Sequence, residues 1–597
     1  MGSPGIIHGT GVEESAARAA LEHALSSTVF ASVGRLKRFL NFIVDQTLAG
    51  GGGKLKEFLI GIEVFEKPDS FDPRNDPIVR VQARRLRAKL AQYYESEGRE
   101  DPVWIELPKG SYVPSFQRRD KVPRRKTVSI ALPGQNTVAV LPFSDRSPQG
   151  DQEYFCSGLR DEIVHVLTKY SLGKSDSLRV IPWTGPLRSE DRLGGILKAA
   201  EALDIATMID GSVRKAGSRY RITVQRVDAV RGQYGWSETF DTAAEDLFAV
   251  QDEISQAVLE DLRGSMAGEA APGLAQTLHE NLVAYELYLR GRYHLSQRSE
   301  KGLRRAVDCF EKAIAEDAQY ALAYSGLADA LALLANYGYV SPGNTVSRAS
   351  SAATSAVRLD ESLAEAHTSL AHVRATLEWD WNAAEIEFRR AIQLNPRYPT
   401  AHHWFGITCL AGLERLDEAI EQCEIAVRLD PTSAIFARDL AESYYFRRNF
   451  VAAADQAQAT IDSDPHFHGA YWILGLVHEQ FGDFGEAIDC FQEALHLVPD
   501  NPRMLSALGR ATALSGKRDE ARGILTKLED MARLRYVSPL DPALIQLALG
   551  EHGPAFERLN YLCEMRCFDL IHLKVDPRFD PWHENRQFLA LLRKLGV

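Results

Sequence analysis

Tyr471-x-x-Leu474-Gly475-x-x-His478, then Ala487-x-x-x-Phe491-x-x-Ala494 and Leu497-Val498-Pro499, decide the fold of most of this 597-residue chain. Residues three and four apart share a helix face, so the spacing predicts two amphipathic helices, and the proline just past the second cannot continue it. Gly475 and the alanines let paired helices approach, while Phe491 fills the hole between pairs. Working outward, the helix-ending triplets Leu394-Asn395-Pro396, Leu429-Asp430-Pro431 and Ser463-Asp464-Pro465 lead to Pro499 with successive prolines 35, 34 and 34 residues apart. Ala306-x-x-x-Phe310 and Ala384-x-x-x-Phe388 mark the same second helix in earlier copies.

A chain repeating at this interval stacks helix pairs, each contacting chiefly its neighbours. About seven pairs are expected over residues 281–535, with an insertion near 335–345 in the second. Capping helices are expected over 536–597, where Asp576-Pro577-Arg578-Phe579-Asp580-Pro581-Trp582 precedes a last amphipathic helix. The pattern resembles the tetratricopeptide repeat. That resemblance implies an all-α superhelix whose concave groove takes a protein or peptide partner, or serves as a homo-oligomer surface; a bare spacer is the plainer reading.

Residues 135–263 change to strand and helix. Thr137-Val138-Ala139-Val140-Leu141-Pro142-Phe143 predicts a buried strand, 154–170 a helix, 178–182 a strand, 194–203 a helix and 207–214 a strand. Residues 220–227 alternate like a half-buried strand, continued by Gly235-Trp236-Ser237-Glu238 after a turn at Arg231-Gly232, and a helix near 247–262 completes a small α/β sandwich. Ala139-Val140-Leu141-Pro142-Phe143, Gly158-Leu159-x-x-Glu162-Ile163, Asp210-Gly211-Ser212-Val213-Arg214 and Trp236-Ser237-Glu238 resemble the TolB-like or FlgO-like domain. The resemblance implies no catalytic chemistry. In bacteria the same domain and repeats also follow class III nucleotide cyclase domains. A cyclase needs paired metal-binding carboxylates in a domain of its own, so an adenylate-cyclase-related protein is the least favoured reading.

Charge separates the N-terminal part from the rest. Residues 1–126 carry 21 Lys and Arg against 16 Asp and Glu, or +5, while the remaining 48 and 65 leave −17. Only the first part has charge suited to nucleic acid. Within it, residues 76–94 predict a helix with Val79, Ala83, Leu86, Leu90 and Tyr93 on one stripe and Arg80, Arg84 and Arg87 on another. Val103–Leu107, a Pro108-Lys109-Gly110-Ser111 turn and Tyr112–Phe116 predict a hairpin. Leu36, Phe39, Leu40, Ile43 and Val44 predict a helix over 32–48, a shorter one spans 54–65, and three prolines make 67–77 a loop.

Three helices and a hairpin make a winged helix-turn-helix over 13–118, between a flexible 1–12 and a basic linker at 119–134. Val79-x-Val81-x-Ala83-Arg84-Arg85-Leu86-Arg87-x-Lys89-Leu90 and Ile105-x-Leu107-x-Lys109-Gly110-x-Tyr112 resemble the OmpR/PhoB-type winged-helix effector domain of CadC- and HilA-like single-chain regulators. The resemblance implies that the helix enters the major groove of double-stranded DNA, that the Lys109 wing reaches an adjacent groove, and that loop 67–75 touches RNA polymerase. The candidate DNA-binding residues are Arg74, Arg80, Arg84, Arg85, Arg87, Lys89 and Lys109. A guanidinium can grip phosphate or guanine bidentately; a merely solvated helix face is the plainer alternative.

Seven scattered cysteines and the lack of an 18-residue apolar run or a leader point to a cytoplasmic protein without a membrane span. No Walker-type loop or nucleophile elbow appears, so neither cofactor nor enzymatic activity is expected. Cys563 and Cys567 with His572 have metal-like spacing but read as buried thiols, and His402-His403 and His466-x-His468 as packing or capping groups. The expected whole is a multidomain one-component transcription regulator, with a linker at 264–280 joining a sensing α/β domain to the repeats. The alternative is a protein–protein scaffold of a signalling complex.

Overall fold

The computed structural model describes residues 14–31, 34–65, 67–68, 78–95, 97–108, 111–118, 137–171, 178–185, 196–197, 199–201, 203–243, 246–265 and 281–595. The chain divides into two units, Met1–Ala131 and Leu132–Val597.

In the first, helices Glu14–Ser26, Thr28–Ala31, Gly34–Leu48, Glu57–Phe65 and Ile78–Glu95 surround one core. The apolar stripe Val79, Ala83, Leu86, Leu90 and Tyr93 is buried with Phe39, Leu40, Ile43 and Phe116. Strands β1 (Val103–Glu106) and β2 (Ser115–Arg118) pair antiparallel with Ile105 opposite Phe116. The second strand thus begins at Ser115, not at Tyr112 as the sequence suggests, because the intervening backbone is engaged elsewhere. The carbonyls of Leu107, Pro108 and Ser111 accept from the Arg87 guanidinium at 2.8, 3.0 and 3.1 Å, and the Tyr112 hydroxyl donates to Glu57 at 2.8 Å. Helix Glu14–Ser26 has no counterpart in the sequence reading, since its buried stripe of Ala17, Ala20, Leu21 and Ala24 is mostly alanine. The expected loop past Pro68 and the basic linker at 119–134 lie outside the described residues.

In the second unit, β3 (Thr137–Val140), β4 (Ser144–Asp145), β5 (Arg179–Pro182), β6 (Thr207–Ala216), β7 (Arg219–Asp228) and β8 (Gln233–Ala243) form one sheet in the order β5-β3-β6-β7-β8, with β4 beside β6. β3 lies parallel between its neighbours, Ala139 facing both Ile181 and Met208, and β6 to β8 form an antiparallel meander. Alternation sends Val138, Val140, Ile209, Val213, Ile222 and Val224 toward helices Glu153–Ser171 and Leu247–Ser265. Ala139, Leu141, Ile181, Met208 and Val227 face Ile196 and Ala200 on the other side.

The sequence sets this domain apart from the repeats; the structure joins them. Leu159 and Ile163 belong to the same continuous core as Tyr285 and Leu289. Gly158 sits so close to Leu289 that an added Cβ would meet it at 2.7 Å, and the Tyr154 hydroxyl donates to Glu286 at 2.9 Å. Of the expected linker, 264–265 finish a helix and 266–280 lie outside the described residues.

Among the described residues eight helix pairs follow, from Leu282–Ser296 with Glu300–Glu316 to Leu540–Leu549 with His552–Glu564. The backbone itself marks the period. One residue between the two helices of each pair, Arg298, Gly338, Trp379, Glu414, Arg448, Gly482, Gly516 and Gly550, adopts a left-handed φ. Glycine does this without the strain a side chain meets, yet half of these positions carry one. The eighth pair falls where the sequence suggests capping helices: no helix-ending proline triplet follows Pro499, and Ala555-x-x-x-Leu559 lacks the phenylalanine of the Ala-x-x-x-Phe signature. Two first helices end in wide π turns, Arg374–Glu378 and Phe405–Leu410. Beyond the pairs come 3₁₀ turns Phe568–Leu570 and Pro577–Trp582 and helix Arg586–Leu595. No described helix is long and apolar enough to cross a membrane.

Candidate functional site

The α/β domain is fastened to the repeats at one of the helix-ending triplets. Thr184 Oγ1 donates to Asp430 at 2.6 Å, and the Thr184 and Gly185 amides donate to Thr432 Oγ1 at 2.9 and 3.2 Å. Arg397 reaches the Leu178 carbonyl at 2.9 Å. Between this seam and the concave side of the repeats opens a cleft of about 1010 Å³. Phe143, Tyr293, Tyr337, Phe436, Phe467 and Trp472 give it aromatic walls, and Arg160, Arg298, Arg438 and Arg503 reach it.

The acidic groups of the cleft are largely engaged by the fold. Asp145 accepts from the Ser147 and Gln152 amides at 2.8 and 2.7 Å; burial pushes its carboxyl up, but these bonds hold it below the usual carboxylate range. Asp430 is taken by Thr184 and Thr432, and Glu153 accepts from the Tyr293 hydroxyl. Arg160 is held by Asp161 and Arg438 by Asp439 and Glu442, but the other two guanidiniums are less committed. Arg503 makes long contacts, 3.4 Å to the Asn336 carbonyl and 3.3 Å to Asp569, and Arg298 Nη1 is buried with no hydrogen-bond partner among the described residues.

Deeper in, an inner chamber of about 100 Å³ shares Arg298, Tyr337, Ile435, Arg438, Trp472 and Arg503 with the cleft. Residues after the eighth pair cross the concave side to form part of its wall. Arg566 donates to the Glu378 carbonyl at 2.8 Å, His572 Nε2 to the Ile407 carbonyl at 2.6 Å, and Arg448 to the Val575 carbonyl at 2.7 Å. Glu378 and Ile407 belong to the two π turns. Burial drives His372 down to about 3 and His572 down to about 4, so both imidazoles are neutral near pH 7. Burial, with Asp569 nearby, pushes the Asp541 carboxyl up to about 7. Burial likewise raises Glu442 to about 7, with Arg438 opposing and Asp439 adding to the rise. Burial pushes Asp439 up as well, but Arg438 and His403 hold it below the usual range.

Of the residues singled out for DNA, Arg80, Arg84, Arg85, Arg87 and Lys89 share helix Ile78–Glu95. The Arg80 side chain is 46% exposed, its Nε 3.4 Å from Glu57, and Lys89 is half-buried. The side chains of Arg84 and Arg85, and all of Arg74 and Lys109, lie outside the described residues. Arg87 differs from the expected outward row: its Nε and Nη2 donate to three carbonyls of the β1–β2 connection, and burial lowers its pKa, so it clamps the ribbon. Cys563 and Cys567 are buried, and among the described residues no three His, Cys, Asp or Glu stand together for a metal. His403 and His468, set aside as packing groups, line the chamber and the cleft. No local signal marks them, because the cleft draws on positions from Pro142 to Met504.

The sequence profile of the tetratricopeptide repeat matches residues 438–502 and 480–533. A protein of Rhizobium meliloti called putative adenylate cyclase 3 is 27% identical over 296 residues, 49% of this chain and 48% of that protein. The human tetratricopeptide repeat protein 33 is 28% identical over 131 residues, 22% of this chain and 50% of that protein. The chain therefore spans about half the length of these two relatives. A solved structure, YrrB, described as a TPR protein with an unusual peptide-binding site, is 22% identical, covers 34% of this chain and 98% of its own, and superposes with a TM-score of 0.24. The C-terminal part of the chain is a helical superhelix of tetratricopeptide-type repeats.

Proposed function

We propose that this chain is a binding protein, not an enzyme, and that a peptide segment of a protein partner lies in the cleft between the α/β domain and the repeats. The seam at Thr184 and Asp430 carries the reading, because it turns an open concave face into a walled cleft of about 1010 Å³. That volume suits several peptide residues, and Trp, Tyr and Arg are the side chains in which binding energy concentrates. Displayed peptide libraries selected on the full chain should yield sequences whose affinity falls at least about tenfold in Trp472→Ala and Phe467→Ala. Peptides indifferent to both substitutions would refute the cleft as the binding site.

A second reading, that the N-terminal unit is a winged helix of the OmpR/PhoB type and makes the chain a DNA-binding regulator, is favoured by the +5 charge of residues 1–126 and by exposed Arg80 beside Arg84. Under it, Arg84→Ala lowers DNA affinity and flattens its salt dependence by about one counterion per lost phosphate contact while the melting temperature holds. Arg87→Ala should lower both affinity and melting temperature, because it frees the ribbon. Gel shifts across a salt series with parallel melts separate the two; no salt-dependent affinity for any duplex leaves the N-terminal unit a protein-binding module of a signalling scaffold.

A further inference from the structure

The inner chamber contains buried donors that the fold leaves unmatched. His372, Asn336 and Trp472 are 2%, 3% and 5% exposed and line it together. Asn336 Nδ2 meets His372 Nε2 at 3.1 Å, and a neutral imidazole accepting there carries its proton on Nδ1. That Nδ1, Trp472 Nε1 and Arg298 Nη1 have no hydrogen-bond partner among the described residues. Buried donors are normally satisfied, so such a group marks a place for a guest bearing acceptors.

The charges around the chamber narrow the guest further. Arg438 is taken by Asp439 and Glu442 at 2.6 and 3.0 Å, and Arg578 by Asp576 at 2.6 Å. What remains is Arg298 and Arg503 against Asp541 and Asp569. Asp569 accepts from Ser538 and, at 3.3 Å, from Arg503; Asp541 has no salt bridge among the described residues. Burial and the neighbouring Asp569 keep Asp541 from ionising easily, the state a guest cation would reverse. A dianion such as phosphate would face two carboxyl groups, and a bare cation would leave the donors unmet. A small molecule with both charges satisfies both sides.

We infer that the inner chamber binds a free α-amino acid, its carboxylate toward Arg298, His372 Nδ1 and Trp472 Nε1 and its ammonium toward Asp541 and Asp569. The chamber's volume of about 100 Å³ and the indoles of Trp404 and Trp472 suit a compact guest of this kind. Entry is from the cleft, whose inner boundary it shares, but the site does not depend on what the cleft holds.

Thermal unfolding of the full chain with each common L-amino acid at millimolar concentration tests it. At least one should raise the midpoint with increasing concentration, while its N-acetyl and its carboxamide derivatives, each lacking one charge, should not. Calorimetric titration of that amino acid should weaken at least about tenfold in Asp541→Asn and in Arg298→Gln. Asp541→Asn matches the shape of the protonated carboxyl, and circular dichroism checks that both variants are folded. The proposal is overturned if no amino acid raises the midpoint, if either derivative acts like its parent, or if either folded variant binds as tightly as the unaltered chain.

Discussion

Asp541→Asn is expected to make the protein more stable at pH 8, by as much as roughly 4 kcal/mol. In the fold, burial raises this carboxyl to about 7, against 3.8 unfolded. A folded pKa above the unfolded one means that the native state binds the extra proton. Stability is therefore full below pH 3.8, falls as pH rises between the two values, and stays lost above the upper one. Each unit of separation is worth about 1.4 kcal/mol, which sets the size of the gain. Asparagine keeps the shape and cannot ionise. Urea melts of both proteins should show the variant's advantage at pH 8 shrinking toward zero near pH 4; a variant less stable than its parent at pH 8 would contradict the burial argument.

The second large effect lies in the repeats. Phe491 is 0% exposed, and a Cβ on Gly475 would stand 2.5 Å from its ring. Phe491→Ala removes a ring that the neighbouring backbone cannot collapse to replace, an expected loss of about 3 to 5 kcal/mol. Gly475→Ala improves helix propensity by about 1 kcal/mol yet should still destabilise, because the methyl lands on the ring. Combining Gly475→Ala with Phe491→Leu should cost less than the two losses added, since the smaller side chain makes room. Simple additivity in denaturation midpoints would mean that the two residues do not meet.

This pair was legible in the sequence because both members recur at fixed positions within one repeat, and local spacing is what a sequence displays. The buried stripe from Val79 to Leu90 and the alternating β7 strand were readable for the same reason. Helix Glu14–Ser26 was missed because alanines give little contrast between its faces. The eighth pair was missed because the helix-ending proline triplets stop at Pro499 and Leu559 stands where three of the copies put a phenylalanine. Arg87 misled for a different reason: its partners are backbone carbonyls 20 to 24 residues away, atoms every residue possesses and no sequence advertises. A concave groove was expected from the repeats, but the side chains that line the cleft and chamber were not, since Arg298, His372, Trp472 and Asp541 come from different repeats and meet only once the superhelix has turned.

The crossing at Glu378, Ile407 and Arg448 has a mechanical consequence. A stack of helix pairs is a spring: each joint bends a little, and small angles summed along the coil let it lengthen or wind up cheaply. Here Arg566 grips Glu378 across 188 residues of sequence, and His572 grips Ile407 across 165. Both ties land on π turns, where the coil is already locally widened. A coil strapped across its own bore no longer stretches joint by joint; pulling on it must break the straps first. The array should therefore yield to force, heat or denaturant in one cooperative event spanning the strapped repeats, where an unstrapped solenoid would peel from its ends.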